Sequence, residues 1–181
     1  MARIPLITTR EGVPSENRHI FDAIEDSRSQ VRGPFPVLLH SPEVAGRTAH
    51  LGAYIRFEST LPPDLRELAI ITTSREFDCE YEWSAHATLA REAGVREEAI
   101  EVVANRGQLD SLTEDEAMII GYGRALFRDH RVPDTTFEAA RERLGDQGVT
   151  ELTATFGYYA MLACTLNAFQ VRPPPDTPRL P

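Results

Sequence analysis

Apolar residues along this chain recur at helical spacing, and its glycines and prolines fall between those segments rather than inside them. No sustained apolar/polar alternation bounded by hairpin turns interrupts the pattern, so a sheet has nothing to be built from. A first helix is predicted from Ser15, read as its N-cap, to Arg32, with Ile20, Phe21 and Ile24 on one side. A second runs from Pro42 to Glu58 and carries Val44, Leu51, Tyr54 and Ile55, and Pro62-Pro63 opens a third that includes Asp64 to Ile71. Asp78 is read as the N-cap of a helix ending near Gly94, and a short helix follows from Val95 to Asn105. Thr113-Glu114-Asp115-Glu116 has capping-box form and starts a helix through His130. Pro133 opens another that stops at Gly145, and the last spans Thr150 to Phe169. Apolar residues surround that last helix almost completely, which marks it as central or as an interface helix. The expected architecture is all-α: a single-domain helical bundle of about seven to eight helices over residues 1–172, followed by an extended Pro-rich C-terminal tail, 173–181.

The chain's 181 residues suit one domain. The balance of 19 basic against 28 acidic residues gives a net charge of −9, which repels phosphate backbones and argues against nucleic acid or an anionic membrane as partner. Every basic residue is Arg, which excludes a Schiff-base lysine and a P-loop lysine. No apolar run reaches the ~18–20 residues that span a bilayer, and the first residues lack a signal-peptide apolar region, so the reading is soluble and cytoplasmic. Two cysteines, Cys79 and Cys164, are too few for a disulfide framework.

One segment, Asp78 to Ala90, carries the chemistry. At ~100° per residue, Cys79, Glu82, His86, Leu89, Ala90 and Ala93 share one arc, so a thiol, a carboxylate and an imidazole lie among small apolar residues. Polar groups on an inner face are costly unless partnered. Cys79 in the first turn would meet amide N–H groups that favour a thiolate, while Asp78, Glu80 and Glu82 disfavour one. His86 can exchange protons with whatever lies within hydrogen-bond reach. In the preceding helix, Glu67 stands among Leu68, Ile70 and Ile71; a carboxyl in apolar surroundings can act as a proton donor, and two antiparallel helices would bring it near Cys79 and His86. Tyr81 and Trp83 flank the stripe as candidate pocket walls.

Other readings of the same residues stay open. Cys79 can be a small buried hydrophobe, and His86 a core histidine satisfied by Glu82. Glu67 can pair with an Arg, such as Arg56 or a neighbouring subunit's Arg66. Cys79, Glu82 and His86 also have the types of a three-ligand zinc site, the weakest of these alternatives. Cys164 reads as core packing, and His19, His40, His50 and His130 as surface or capping residues.

Arg66-Glu67-Leu68-Ala69-Ile70, then Cys79-Glu80-Tyr81-Glu82-Trp83 and His86, resembles the carboxymuconolactone decarboxylase family, which includes the alkylhydroperoxidase D proteins. The resemblance covers roughly Leu51 to Asn105. It implies an all-helical fold, assembly into homo-oligomers (dimer, trimer or hexamer), a small-molecule substrate and no cofactor or metal. For the peroxidase branch it implies Cys79 as catalytic thiol with Glu67 and His86 as proton relay. That branch carries a second Cys where this chain has Glu82, so an external thiol or Cys164 would have to resolve the oxidised Cys79. The decarboxylase branch carries an acid four residues before the His, as Glu82 stands before His86, and needs no thiol.

Three functions follow. The first is a thiol-dependent antioxidant enzyme of peroxiredoxin or alkylhydroperoxidase type, with Cys79 attacking, His86 and Glu67 relaying protons and Glu82 orienting His86. The second is a cofactor-free lyase acting on a small carboxylated lactone through His86 and Glu82, with an Arg holding the substrate carboxylate. The third is a non-enzymatic oligomer whose polar stripe is structural.

Overall fold

Two 3₁₀ turns, Arg10–Gly12 and Ser15–Asn17, lead into the first helix of the computed structural model, which describes residues 2–181. The helices in chain order are α1 (Arg18–Arg28), α2 (Phe35–Leu38), α3 (Pro42–Ala53), α4 (Pro63–Glu76), α5 (Glu80–Glu92), α6 (Glu97–Ala104), α7 (Glu114–Arg128) and α8 (Asp134–Phe169). A π-helical turn, Tyr54–Glu58, continues α3, and no strand occurs among the described residues. The all-α bundle predicted from the sequence is therefore the observed fold.

Several ends differ from the sequence reading. Ser15 does not cap α1; it begins the short 3₁₀ turn, and the α-helix starts at Arg18. Thr113 does cap α7: its hydroxyl accepts the Glu116 amide at 3.3 Å, and Glu116 Oε2 accepts the Thr113 amide at 3.0 Å. The two helices expected on either side of Gly145 run on as α8 across a kink, where Gly145 adopts φ 72°, ψ 173°, a conformation side chains with a Cβ avoid.

The central helix is α4, which packs against α5, α6, α7 and α8. Every residue from Glu67 to Ser74 is buried. Its polar members are satisfied locally, the hydroxyls of Thr72, Thr73 and Ser74 donating to the carbonyls four residues back at 2.7, 2.9 and 2.9 Å. The last helix, for which a central place was one expectation, instead keeps an outer face of Ala154, Gly157, Met161, Cys164 and Ala168 exposed. Its inner face carries Phe156 into the main core and Tyr158, Tyr159 and Leu162 against Ile55 and Ile70. No helix among the described residues is long and apolar enough to cross a membrane.

Candidate active site

The link between α4 and α5 sets the register of everything on α5. Asp78 takes a left-handed conformation (φ 45°), with its carboxylate held by Arg75 and by Arg106 Nη2 at 2.9 Å. That shifts the helix start by one residue from the predicted place: Cys79, not Asp78, is the N-cap, and its thiol lies outside the first turn. From there α5 buries two adjoining stripes. Trp83, Ala87 and Ala90 enter the main core against α4 and α6. Glu82, His86 and Leu89 face a cavity instead. Trp83, expected as a pocket wall, is thus a core residue; Tyr81 does line the cavity, its hydroxyl accepting the Gly33 amide at 3.1 Å.

Glu67 and His86 meet across the α4–α5 interface. His86 Nδ1 lies 2.7 Å from Glu67 Oε2, both side chains being about nine-tenths buried. A carboxylate oxygen so placed accepts the Nδ1 proton and leaves Nε2 with the exchangeable lone pair. Nε2 in turn faces Glu82 Oε2 at 3.5 Å, beyond ordinary hydrogen-bond length. Glu67 thus makes the closer contact with the ring, at Nδ1, and Glu82 stands on its cavity side, whereas the thiol-enzyme reading has Glu82 orient His86. Burial pushes the Glu82 carboxyl above the usual carboxylate range, opposed by His86 and Arg56 and helped by Glu67. The Tyr159 ring from α8 packs edge-on against the imidazole, centroids 5.1 Å apart at 84°.

The cavity over this group measures about 610 Å³. Arg28, Arg32 and Arg56 line it, together with Phe57, and the tail residues Pro174 and Thr177 form part of its wall. Arg28 is steadied by the Ala49 carbonyl at 3.0 Å and lies over the Phe35 ring at 4.5 Å; Arg56 lies 5.1 Å from the Phe57 ring. None of the three forms an ion pair with a carboxylate among the described residues, whereas nine other arginines do. A concave site with unpaired guanidinium groups around buried acid–base side chains fits a small anionic ligand.

Cys79 is elsewhere. Its side chain is 0% exposed, packs with Ala163 and Leu166, and is absent from the cavity wall. Burial pushes the thiol up to about 12, outweighing the amides of Glu82 and Tyr81 that favour the thiolate. Cys164, expected in the core, is exposed, because Tyr159, Leu162, Ala163 and Leu166 take the inward positions of α8. The four remaining histidines are exposed, as expected. Among the described residues no group of three His, Cys, Asp or Glu is arranged to hold a metal ion. Sequence reasoning missed Tyr159, Arg28 and Arg32, and named Arg56 only as a partner for Glu67. The available signal was a Tyr-Tyr pair in a stretch, residues 152–169, without a single charged side chain.

Residues 42–118 match the sequence model of the carboxymuconolactone decarboxylase family. That segment is similar to the family. It carries α3 to α6 and the start of α7, hence Arg56, Glu67, Cys79, Glu82 and His86, but not Tyr159, Arg28 or the tail. Comparison with curated proteins gives no match. Solved structures agree on the fold. An uncharacterised peroxidase-related protein with an alkylhydroperoxidase AhpD core, from Ralstonia eutropha JMP134, superposes with TM-score 0.77 at 20% identity, covering 97% of this chain and 93% of its own. A protein of unknown function from Agrobacterium tumefaciens, a putative antioxidant defence protein AhpD, gives 0.67 at 21%, covering 76% and 95%. A cysteine-to-alanine variant of the debrominase Bmp8 in complex with 2,3,4-tribromopyrrole gives 0.74 at 15%, covering 97% and 95%.

Proposed function

We propose that this protein is a cofactor-free enzyme that moves protons on a small carboxylated lactone, in the manner of a carboxymuconolactone decarboxylase. The observation that carries the reading is the line Glu67–His86–Glu82, with the imidazole pinned at Nδ1 (2.7 Å) and its Nε2 turned to Glu82 at the cavity. The unpaired Arg28, Arg32 and Arg56 support an anionic substrate. In the step envisaged, the substrate carboxylate leaves as carbon dioxide and the C–C electron pair passes into the conjugated lactone. The carbon then takes one proton from the Glu82 carboxyl, which His86 and water refill. The balance is R–COO⁻ + H⁺ → R–H + CO₂. General acid–base help of this kind contributes about 10²–10⁴-fold.

The thiol-peroxidase reading keeps the same Glu67–His86 relay but asks for an ionised, reachable Cys79. With the thiol pushed up to about 12, the thiolate is strongly disfavoured at neutral pH, and Cys79 does not line the cavity that holds His86 and Glu82. That balance favours acid–base chemistry over attack by sulfur.

Incubation with carboxymuconolactone in D₂O, following carbon dioxide release and deuterium incorporation, tests the proposal. Expected are turnover by the parent and by Cys79→Ser, and loss in His86→Ala and Glu82→Gln. Peroxide consumption abolished by Cys79→Ser would move the function to the thiol branch. Substitutions at Glu82 and His86 that alter only stability or assembly would mark the stripe as structural.

A further inference from the structure

The chain has five tyrosines, and four of their hydroxyls are engaged within the fold. Tyr54 donates to Glu151 at 2.6 Å, Tyr81 accepts the Gly33 amide at 3.1 Å, Tyr122 bonds the Thr153 hydroxyl at 2.7 Å and Tyr158 donates to the Thr48 carbonyl at 3.1 Å. Tyr159 is the exception: its hydroxyl makes no hydrogen bond among the described residues, although the residue is only 2% exposed. Buried hydroxyls are almost always partnered, because leaving one bare is costly. The oxygen is also not sealed into the core. It is not among the fully enclosed polar atoms that lack partners, and Tyr159 lines the cavity that Glu82 and His86 share. The ring has no freedom to seek a partner elsewhere, being held edge-on by His86 at 5.1 Å and by Tyr158 at 5.3 Å.

We infer that Tyr159 is a third group that touches the substrate, donating its hydroxyl hydrogen bond to the lactone oxygen that gathers negative charge as carbon dioxide departs. The inference rests on the acid–base reading above and adds to it a fixed donor aimed at the developing oxyanion. No proton leaves Tyr159 in this step; the bond forms as charge moves from the breaking C–C bond to oxygen. The hydroxyl suits that role because burial, reinforced by the Glu82 charge, holds its ionisation well above the ordinary range, so it stays a donor wherever the enzyme works. Glu82 supplies the proton to carbon and Arg28, Arg32 and Arg56 the attraction for carboxylate, which leaves Tyr159 as the neutral donor. Tyr159 lies outside the family segment at residues 42–118, on a helix that the motif does not include.

A direct probe of an oxyanion donor is 4-nitrophenolate, whose visible band moves to shorter wavelength when its oxygen receives a hydrogen bond. The parent is expected to bind it saturably with that band shift. Tyr159→Phe is expected to bind about tenfold more weakly and to lack the shift, with a thermal midpoint within a few degrees of the parent because no internal hydrogen bond is lost. Tyr122→Phe, which removes a hydroxyl bonded to Thr153, is expected to leave binding and band position unchanged. Absence of saturable binding by the parent overturns the inference, as does equal affinity and band position in Tyr159→Phe. Failure of the acid–base reading is separate: the parent would release no carbon dioxide from carboxymuconolactone while nitrophenolate binding still depended on Tyr159.

Discussion

Glu67 Oε2 stands 2.7 Å from His86 Nδ1, joining the central helix α4 to α5 across an interface where both side chains are about nine-tenths buried. The contact does two things at once. It satisfies a buried imidazole nitrogen, and it fixes which nitrogen faces the cavity. Glu67→Ala leaves Nδ1 unpaired, so unfolding in urea is expected to show a loss of about 1–3 kcal/mol. Turnover of carboxymuconolactone is expected to fall about 10²-fold or more, with kcat carrying the change. Glu67→Gln keeps a hydrogen-bond acceptor but loses the charge, and should restore most of the stability while recovering less of kcat.

The two thiols should be separable without any substitution. Cys79 is sealed and pushed up to about 12, while Cys164 lies on the outer face of α8. Brief iodoacetamide treatment at pH 8, read by intact mass and peptide mapping, is expected to place one label on the folded protein, at Cys164. In denaturant both should react. Rapid native labelling at Cys79 would show that the thiol is reachable and return weight to the peroxidase reading.

How far the site was readable from the chain depends on which contacts are local. The Glu82–His86 stripe is an i, i+4 relation within one helix, so its shared face follows from helical geometry alone. Glu67 could be expected near it because α4 and α5 are joined by a short link. The placement of Cys79 turned on one backbone conformation, the left-handed Asp78 held by Arg75 and Arg106, and nothing in the local sequence announces an ion pair to a residue 28 positions away. Tyr159, Arg28 and Arg32 come from α8, α1 and the loop after α1, and only the tertiary fold brings those elements around one cavity. The helices themselves were legible because their ends carry chemical signatures: the Thr113 capping box, Gly94 after α5, and Gly145 at the kink in α8.

Glu82 should show a conflict between function and stability. Its carboxyl is raised in the fold, with burial as the main cause. A group with a raised folded pKa contributes stability below its unfolded value, and that contribution is lost as pH rises toward the folded value. Relative to the parent, Glu82→Gln is therefore expected to gain stability as pH rises above the ordinary carboxylate range. The advantage should be absent in acid, while turnover is lost at every pH. Thermal melts of both proteins from pH 4 to pH 8 read the crossing; a Glu82→Gln curve parallel to the parent would show that the buried acid is not raised.

Glu151 predicts the opposite acid response. Its carboxylate receives Tyr54 Oη at 2.6 Å, the Thr60 amide at 2.7 Å, Thr60 Oγ1 at 2.8 Å and Gln147 Nε2 at 2.9 Å, tying the turn after α3 to α8. Burial alone would raise this carboxyl; the four donors overcome it and hold the group down at about 2. A depressed folded pKa contributes stability above the unfolded value, lost as pH falls from the ordinary carboxylate range toward about 2. Glu151→Ala leaves those donors bare and is expected to cost about 2–4 kcal/mol at pH 7. The deficit should shrink as the parent itself loses the ionised carboxylate in acid. Because Phe57 and Arg56 lie on the turn that Glu151 anchors, nitrophenolate binding should weaken in the same variant. A deficit that stays constant from pH 7 to pH 3 would place the ionised carboxylate outside the stability of this turn.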